Sequence, residues 1–388
     1  MPESSNTTQC LICASPLVKN GRTAAGTQRW KCQHCGGSAV RRREDLRRKY
    51  QLDRFLAWLL GNRAQHELKP GGSSRSFRRQ TAWCWQLQPR VTITGEVYDQ
   101  IQVDGLYLSS RWCCLIAITG GQVIAWQWCD REKTAAWMTL LEQIPAPRVV
   151  ICDGGTGLAA ALRQVWPETQ IQRCLVHVQR NIRTYLTRHP RSDAGKTLWA
   201  LGRSLTSITT PEQAVDWLQR LQDWHGLYGS LTRQRTYAVQ VRPSQTIPSW
   251  VRAGQRWWYS HDRLRKAYRL LDKLARNDHL FTYLNPNLAG LHIASTTNQI
   301  EGGINAGLRD LLRRHRGMHA EHQRRAIEWW LNANAIAAPP AETFINTVPE
   351  PAARAESVQN EPIGPETYGT GLTAEEGLWT RRGWAGRS

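Results

Sequence analysis

The sequence predicts an α/β protein with a mixed β-sheet, preceded by a small metal-stabilised module and a basic helical segment. Three observations predict this architecture. Two CxxC pairs lie close to the N-terminus, strand and helix patterns alternate from residue 96 to about 335, and 388 residues are too many for one ordinary core. Residues 337–388 are rich in Pro, Ala and Glu with few large apolar side chains, so we expect a disordered tail there.

The charge of the chain favours a polyanionic partner. The formal net charge is +20 at pH 7. Lys and Arg side chains neutralise phosphates and release counterions, which favours nucleic acid. A membrane is disfavoured because no stretch reaches the roughly 18 consecutive apolar residues of a spanning helix. The N-terminus also lacks the basic-then-apolar layout of a signal peptide. We therefore expect a cytoplasmic protein.

Residues 1–45 contain the most specific local pattern, a pair of metal-binding knuckles. Cys10-x2-Cys13 is followed after 18 residues by Cys32-x2-Cys35. Each CxxC supplies two thiolates to a tetrahedral zinc ion, and a module this small depends on the metal to fold. The pattern predicts a zinc ribbon with one structural Zn²⁺, and four unrelated buried thiols are the alternative. Whether the ribbon contacts DNA stays open.

Residues 46–95 are predicted to be a helical DNA-binding segment. Apolar residues at helical spacing (Leu52, Phe55, Leu56, Leu59 and Leu60) indicate one helix. After a Pro-Gly-Gly break, Ser74 or Ser76 is expected to cap a second helix that carries Arg78 and Arg79. Helix, turn and Arg-rich helix is the helix-turn-helix pattern, in which the second helix reads the major groove. Any amphipathic helix pair with surface arginines shows the same pattern.

Residues 96–336 are predicted to be the catalytic body. A period-2 run at 98–108, then 112–118, and a Gly-Gly turn followed by 122–128 indicate three antiparallel strands, the last two a hairpin. The apolar run 148–152 indicates a buried parallel strand. Helix patterns at 133–143 and 157–165 flank this strand, and another short strand follows at 169–174. The order β-β-β-α-β-α-β-α is that of a ribonuclease-H-like core, a mixed five-stranded sheet with helices on its faces.

Two aspartates stand at positions where the fold would bring them together. Alternation places Asp104 on the face opposite Ile101 and Val103, away from the core, and Asp153 directly follows the buried strand. In the predicted strand order the first and fourth strands are neighbours, so both carboxylates would meet at one edge of the sheet. Repulsion between them is relieved by divalent cations, and oxygen ligands suit Mg²⁺ or Mn²⁺. Two such ions support phosphoryl transfer. Turn capping is the alternative for a single aspartate.

A third carboxylate is needed, and composition alone leaves four candidates: Glu301, Asp310, Glu321 and Glu328. The segment around Glu301 has the pattern of a helix start. Asn298 would cap this helix and place Glu301 in its first turn, facing inward. Gly302 and Gly303 would permit close approach of backbone or substrate. Glu328 lies in a basic amphipathic helix and is expected to pair locally.

Taken together, four motifs resemble those of bacterial insertion-sequence DDE transposases, in particular the Mutator-like group whose members begin with a zinc ribbon. The motifs are VDGLY around Asp104, VVICDGG around Asp153, RCLVH at 173–177 and TTNQIEGGIN around Glu301. The resemblance covers roughly residues 8–335. It implies a catalytic triad of Asp104, Asp153 and Glu301 that binds two Mg²⁺ ions, with a helical insertion at about 202–292. It also implies cleavage at element ends by water, followed by attack of the freed 3′-hydroxyl on target DNA.

The same resemblance assigns a role to the pair Cys174-x2-His177. In the group, a histidine at this place lies near the active site and contacts substrate. A second zinc site is disfavoured because no further ligand pair accompanies these two residues. A buried, hydrogen-bonded histidine is the other alternative.

Basic side chains near the third carboxylate are expected to contact DNA. The stretch 309–325 has the pattern of one basic helix, and its candidate phosphate ligands are Arg309, Arg313, Arg314 and Arg316. In the insertion, aromatics at 257–259 precede cations at 263–266, which suits stacking on unpaired bases. A helical core with solvated basic faces explains those residues equally well.

The expected partners are double-stranded DNA at terminal inverted repeats and at the target, with at least two protomers because two element ends must be joined. A bacterial, nucleoid-associated location follows from that function. Two rival functions stay open, a structure-selective nuclease on the same core and a DNA-binding regulator that has lost catalysis. The regulator gains little support, since all three acidic positions are filled.

Overall fold

The structure, a computed structural model, describes most of the chain between residues 13 and 347. The described residues are 13, 15–40, 44–61, 63–65, 67–68, 73–108, 112–241 and 247–347, with side chains for all except 39–40, 44–47 and 346–347. They form two compact units, one made of residues up to Pro89 and from Pro340 onward, the other of Arg90–Pro339. No helix within these ranges is long and apolar enough to cross a membrane.

The first unit contains a small antiparallel sheet. Its strands, in spatial order, are β1 (Leu17–Arg22), β2 (Gln28–Cys32) and β3 (Ser38–Val40). Gly26 and Gly36 lie in its turns with φ of 77° and 72°, which glycine adopts without steric cost. Cys32 is the one buried side chain of β1 and β2. These two strands therefore bury almost no apolar surface, which fits a module stabilised by a metal.

Two helices follow, α1 (Glu44–Leu59) and α2 (Ser74–Thr81). The predicted apolar stripe of α1 is confirmed, because Leu52, Phe55 and Leu59 are fully buried. The ring of Phe55 packs edge-on against Trp85 with centroids 4.8 Å apart. Leucine and aromatic side chains therefore share the core of this part of the unit.

The cap of α2 differs from the prediction. The hydroxyl of Ser73 accepts a hydrogen bond from the backbone N of Ser76 at 3.2 Å, so the cap is neither Ser74 nor Ser76. Ser73 has the extended backbone that a cap residue requires (φ −77°, ψ 153°). A 3-10 helix at Ala82–Gln86 continues α2, and residues 87–99 form no helix.

Part of the segment predicted to be disordered is folded. Ala341–Thr347 forms a 3-10 helix, and Glu342 pairs with Lys49 of α1. Residues 348–388 lie outside the described residues.

A five-stranded mixed sheet forms the centre of the second unit. Its strands are β4 (Gln100–Tyr107), β5 (Cys113–Thr119), β6 (Gln122–Cys129), β7 (Val149–Cys152) and β8 (Gln170–Arg173). The spatial order is β6-β5-β4-β7-β8; β5 is antiparallel to β4 and β6, whereas β7 is parallel to β4 and β8. This arrangement confirms the predicted strands and is compatible with a ribonuclease-H-like core.

Eight helices of this unit are described. They are α3 (Thr134–Leu141), α4 (Thr156–Val165), α5 (Leu175–Leu186), α6 (Asp193–Ser204), α7 (Pro211–Tyr228), α8 (Asp262–Arg276), α9 (Asn305–Arg314) and α10 (Ala320–Ala333). A π-helical turn, Gln299–Ile304, leads directly into α9.

Both faces of the sheet are covered. Ile101 and Val103 share a core with residues of α3 and α4. Leu106 and Ile116 share a second core with Leu308 of α9 and with residues of α10. Asp104 is on the face opposite Ile101 and Val103, as predicted, but that face is also a core face rather than an open one. The sequence alternation alone could not reveal the second layer of helices.

Helices α5–α8 surround a third core that lies apart from the two sheet cores. Its members include Leu175, Leu198, Trp217 and Leu271. This core joins α5 and α6 to α7 and α8, which lie in the predicted insertion at about 202–292. The insertion also contains a two-stranded sheet, β9 (Arg235–Tyr237) with β10 (Trp257–Tyr259), in a segment predicted to be helical.

Candidate active site and metal centre

The N-terminal sheet brings three of the four predicted zinc ligands together. The sulfur atoms of Cys13, Cys32 and Cys35 lie within 4.8 Å of one another, and those of Cys13 and Cys32 are 3.5 Å apart. Hydrogen bonds with Ser15 lower the pKa of Cys13 to about 6, which favours the thiolate that a metal binds. Cys10 lies outside the described residues. The donor set fits a zinc ion.

Asp104 and Asp153 occupy matching positions on adjacent parallel strands. The register pairs Gln102 of β4 with Ile151 of β7, and each aspartate stands two residues further along. Asp104 is within β4, whereas Asp153 directly follows β7. Their backbone positions are therefore side by side at one edge of the sheet, where the sequence predicts them to meet.

Hydrogen bonds hold both carboxylates in place. Oδ1 of Asp104 accepts from the backbone N of Gly105 at 2.9 Å, and Oδ2 accepts from Nδ2 of Asn305 at 2.7 Å. Oδ1 of Asp153 accepts from the backbone N of Gly155 at 3.1 Å. Asn305 is the first residue of α9, so its hydrogen bond links the start of α9 to Asp104 of β4.

Asp104 is electrostatically strained. Burial and the negative charge of Asp153 raise its pKa to about 7, and Glu301 adds to the increase. The charge of His177 and the hydrogen bond from Gly105 oppose that shift. Closely spaced carboxylates of this kind fit a divalent cation, which would supply the missing positive charge.

Glu301 lies in the π-helical turn before α9 and is held by three side chains. Thr297 Oγ1 donates to its Oε1 at 2.7 Å, and Arg180 Nη1 donates to its Oε2 at 3.0 Å. Nδ1 of His177 is 3.4 Å from Oε1. Burial alone would raise the pKa of Glu301, but the charge of His177 and the bonds from Thr297 and Arg180 lower it below its usual value. The side chain is therefore an oriented carboxylate.

The predicted helix start at Glu301 is confirmed, but the predicted cap is wrong. Glu301 lies in the first turn, whereas Asn298 has helical backbone angles and makes no capping hydrogen bond with its side chain. The carbonyl oxygen of Thr297 accepts instead from the backbone N of Ile300 and of Glu301, at 3.1 and 3.0 Å. A Cβ at Gly302 would lie 3.1 Å from Asn298 Oδ1, so the asparagine packs over that glycine.

Cys174 and His177 lie at the start of α5, next to Glu301. The backbone N and Oγ1 of Thr297 are 3.3 and 3.2 Å from Cys174 Sγ. Burial would raise the pKa of Cys174, but hydrogen bonds and the charge of His177 lower it. Burial would lower the pKa of His177, yet Cys174, Asp153 and Glu301 raise it to about 9. His177 is therefore a cation among acidic groups.

Sequence reasoning missed three side chains that orient these groups. They are Arg180 and Thr297 at Glu301, and Asn305 at Asp104. Helical spacing carried a signal for all three, because Arg180 follows His177 by three residues, and Thr297 and Asn305 lie four residues before and after Glu301.

The basic stretch after Glu301 forms two helices rather than one. α9 ends at Arg314, and Gly317, with φ of 85°, lies in the turn before α10. Asp310 pairs with two of the arginines, Arg313 at 2.6 Å and Arg314 at 3.0 Å. All four predicted phosphate ligands are exposed: Arg309, Arg313, Arg314 and Arg316.

Glu328 pairs locally, as predicted. Its buried carboxylate accepts from Arg324 Nε at 3.2 Å and from Trp128 Nε1 at 2.9 Å, and it also contacts Arg325. These partners belong to α10 and β6, so Glu328 is bound within its own core and is not grouped with Asp104 and Asp153.

In the first unit, the predicted recognition arginines lie on the exposed side of α2. Arg78 and Arg79 are exposed, whereas Phe77 and Thr81 on the same helix are buried. Their availability to DNA is compatible with the prediction.

The aromatic segment of the insertion is a strand whose rings already have cationic partners. The guanidinium of Arg235 lies 4.1 Å from the ring centroid of Trp257, and that of Arg265 lies 3.7 Å from the Tyr259 ring. Trp258 is buried. Cation–π contacts within the chain thus account for much of this pattern.

These elements define an α/β domain with an acidic site on two adjacent parallel strands. Within it, residues 95–240 match the family described as Transposase, Mutator family. The match confirms the resemblance to Mutator-type insertion-sequence transposases over the segment that carries Asp104, Asp153 and His177. Glu301 lies beyond the matched residues.

Curated relatives give the same result over shorter alignments. The chain is 32% identical over 111 residues to the transposase for insertion sequence element IS905 of Lactococcus lactis, covering 24% of this chain and 28% of that protein. It is 30% identical over 141 residues to the transposase for IS6120 of Mycolicibacterium smegmatis, covering 31% and 43%. For the transposase of ISRM5 from Rhizobium meliloti, identity is 27% over 144 residues, covering 35% of each. The chain thus aligns with less than half the length of these relatives.

Proposed function

We propose that this protein is a DNA transposase that cuts DNA at the ends of an insertion sequence and joins the freed 3′-hydroxyl to target DNA. One observation carries the proposal. Asp104 and Asp153 lie side by side within a segment that matches Mutator-family transposases, and Glu301 is close enough to raise the pKa of Asp104. A third carboxylate beside two aspartates on adjacent strands is the arrangement that the proposed chemistry needs.

Asp104, Asp153 and Glu301 would hold the divalent cations, Mg²⁺ or Mn²⁺. Such ions, two in the proposed site, activate a nucleophile and stabilise the charge that develops on the leaving oxygen. Asn305 orients Asp104, and Arg180 orients Glu301. Each of these hydrogen bonds fixes a carboxylate before DNA arrives, which lowers the cost of ordering the site.

His177 would contribute a positive charge at the same place. Its pKa of about 9 keeps the imidazole protonated at neutral pH. A cation beside the carboxylates favours the approach of a phosphate that they would otherwise repel. The proposed role of His177 is therefore substrate contact.

DNA binding would be distributed over exposed basic groups, in keeping with the net charge of +20. Arg309, Arg313, Arg314 and Arg316 follow Glu301 closely in the chain and would contact phosphates. The zinc ribbon and α2, with Arg78 and Arg79, would recognise the inverted repeats. Two or more protomers would hold the two element ends.

The test is cleavage of labelled DNA that carries the element ends, taken from the sequence flanking the gene. With Mg²⁺, wild-type protein should nick at the element end. Asp104→Asn, Asp153→Asn and Glu301→Gln should each lower the rate by several orders of magnitude while binding of the ends persists, because DNA affinity comes from separate basic groups.

Glu321→Gln is the matched control for Glu301→Gln. Glu321 is an exposed carboxylate in the first turn of α10, and its variant should cleave at the wild-type rate. Near-normal cleavage by any of the three site variants would remove that residue from the active site. Cleavage that ignores the element ends and follows DNA shape instead would favour a structure-selective nuclease.

A further inference from the structure

A second set of metal donors lies beside the acidic site and shares one residue with it. Cys174, His177 and Glu301 each offer a donor atom, and these atoms lie within 4.8 Å of one another. Cys174 is fully buried, and the side chains of His177 and Glu301 are 24% and 25% exposed. The cluster therefore combines a sulfur, a nitrogen and an oxygen in a largely enclosed space.

The nitrogen of this cluster lies between the other two donors. Nδ1 of His177 is buried and forms no well-aligned hydrogen bond among the described residues. Its neighbours are Oε1 of Glu301 at 3.4 Å and the thiol of Cys174. A buried ring nitrogen held between a thiol and a carboxylate is placed to share a metal ion with them.

We propose that Cys174, His177 and Glu301 bind a thiophilic divalent cation, of which Zn²⁺ is the representative, and that this cation competes for Glu301 with the oxygen-bound ions of the catalytic site. Metal binding at the cluster is independent of the proposed function, whereas the competition for Glu301 rests on the proposed function.

The distance between the nitrogen and the oxygen donor suits zinc. With ligand bonds of roughly 2.0–2.3 Å, the donors of a tetrahedral site lie about 3.3–3.7 Å apart. The 3.4 Å between His177 Nδ1 and Glu301 Oε1 falls in that range. Three protein ligands leave a fourth position for water.

The donor types also discriminate between metals. Thiolate and imidazole favour Zn²⁺ and related ions, whereas Mg²⁺ prefers oxygen ligands. A zinc ion at the cluster would take Oε1 of Glu301 and turn the carboxylate toward Cys174 and His177, while Arg180 holds Oε2. The catalytic ions would then compete with zinc for Glu301, so zinc should inhibit DNA cleavage.

Neighbouring groups can accommodate the ion by small changes. Zinc at Nδ1 would displace the proton that the His177 cation carries there and leave the proton on Nε2, which lies 3.5 Å from Arg180 Nη1. Arg180 would keep its bond to Glu301. Thr297 Oγ1 lies within 3.2 Å of both Cys174 Sγ and Glu301 Oε1, and can rotate its proton away from either.

Sequence reasoning disfavoured a zinc site at Cys174 and His177 because no further ligand pair follows them. The fold removes that objection, since the third ligand is a single glutamate from the turn before α9. Distant residues that meet only in the folded chain leave no spacing pattern.

Cobalt spectroscopy on the full-length protein tests the site. Co²⁺ is titrated under reducing conditions into protein whose ribbon is already loaded with zinc. We expect one equivalent to bind with a thiolate-to-cobalt charge-transfer band and visible d–d bands. Cys174→Ala should lose the charge-transfer band, and His177→Gln should weaken binding and shift the d–d bands.

Cys152→Ala is the matched control, because Cys152 is also a buried thiol but is not in the cluster. Its Co²⁺ spectrum should equal that of the wild type, and thermal unfolding checks that each variant folds. Absence of a thiolate band in the wild type, or its persistence in Cys174→Ala, overturns the site. Should Cys174→Ala not fold, the His177→Gln spectrum decides, and an unchanged spectrum there overturns the site as well.

Zinc inhibition tests the sharing of Glu301. In wild-type protein, added Zn²⁺ should inhibit cleavage, and excess Mg²⁺ should restore it. In Cys174→Ala the inhibition, relative to that variant's own rate, should be lost. Zinc that binds the cluster without affecting cleavage would overturn the competition. A wild type that shows no Mg²⁺-dependent cleavage refutes the proposed function instead and leaves the cobalt result standing.

Discussion

Replacing Asp104 by asparagine should make the metal-free protein more stable, although it should abolish cleavage. The pKa of Asp104 is raised to about 7 by burial and by Asp153, so the folded protein resists ionisation of this carboxyl group. An amide has nearly the same shape and carries no charge. The hydrogen bonds around Asp104 also permit the asparagine, because Asn305 Oδ1 has no partner among the described residues. A flip of Asn305 would let that oxygen accept from the introduced amide, while the backbone N of Gly105 keeps its acceptor.

The pKa shift sets the size and the pH dependence of the effect. A rise from 3.8 to about 7 is roughly three units, and each unit corresponds to about 1.4 kcal/mol, which gives a ceiling of about 4 kcal/mol. Asp104 is only partly shielded from solvent, so we expect about 2 kcal/mol, or roughly 4–8 °C in Tm for a unit of this size. Below about pH 4 the carboxyl group is protonated in folded and unfolded chains alike, so the two proteins should be equally stable. The difference should grow between about pH 4 and 7, as the unfolded chain ionises and the folded one does not, and stay constant above that.

Differential scanning calorimetry in chelator, at several pH values, measures this difference. Asp99→Asn is the control, because it also removes one negative charge near β4 but from a side chain that is 56% exposed. Its Tm should change little. Mg²⁺ should narrow the gap at pH 8, since the metal stabilises only the wild type. A variant no more stable than the wild type at pH 8 without metal would show that Asp104 is not strained by its neighbours.

The remaining predictions concern the zinc ribbon and the contacts with DNA. Purified protein should contain one tightly bound zinc ion, and Cys32→Ser should lose it together with the fold of the ribbon; wild-type protein without zinc by metal analysis would refute the assignment. Arg78→Ala or Arg79→Ala should erode the preference for inverted repeats by about 1–3 kcal/mol, whereas Arg313→Ala should weaken binding to all DNA and flatten its salt dependence. Competition binding at two salt concentrations separates these effects, and full repeat preference in the first two variants would place recognition elsewhere.

Local pattern was sufficient to predict the sheet. Each strand of the mixed sheet has either a period of two or a short apolar run, and these patterns are fixed by which faces are buried. The adjacency of β4 and β7 followed from strand order, so the sequence alone was enough to pair Asp104 with Asp153. Both aspartates lie in or directly after strands, where position along the chain and position in space are closely linked.

Other features depended on contacts that no local pattern contains. The second core, which covers the Asp104 face, is supplied by α9 and α10 from the far end of the domain. The break between these helices was hidden because arginines continue on both sides of Gly317. The strand at Trp257–Tyr259 looked helical or irregular because its partner, Arg235–Tyr237, lies some twenty residues earlier.

The third carboxylate shows where sequence reasoning ends. Asp310, Glu321 and Glu328 are comparable with Glu301 by residue type and by neighbourhood in the chain. What separates Glu301 is the set of groups that surrounds it. Asp310 pairs with arginines of its own helix and Glu328 with those of α10, whereas Glu301 is held by Arg180 and His177 of α5. A carboxylate oriented by another helix is fixed relative to the sheet, because α5 begins directly after β8. The same contacts that make Glu301 a suitable metal ligand are therefore the ones that place Cys174 beside it, so the proposed catalytic role and the proposed zinc site have one structural origin.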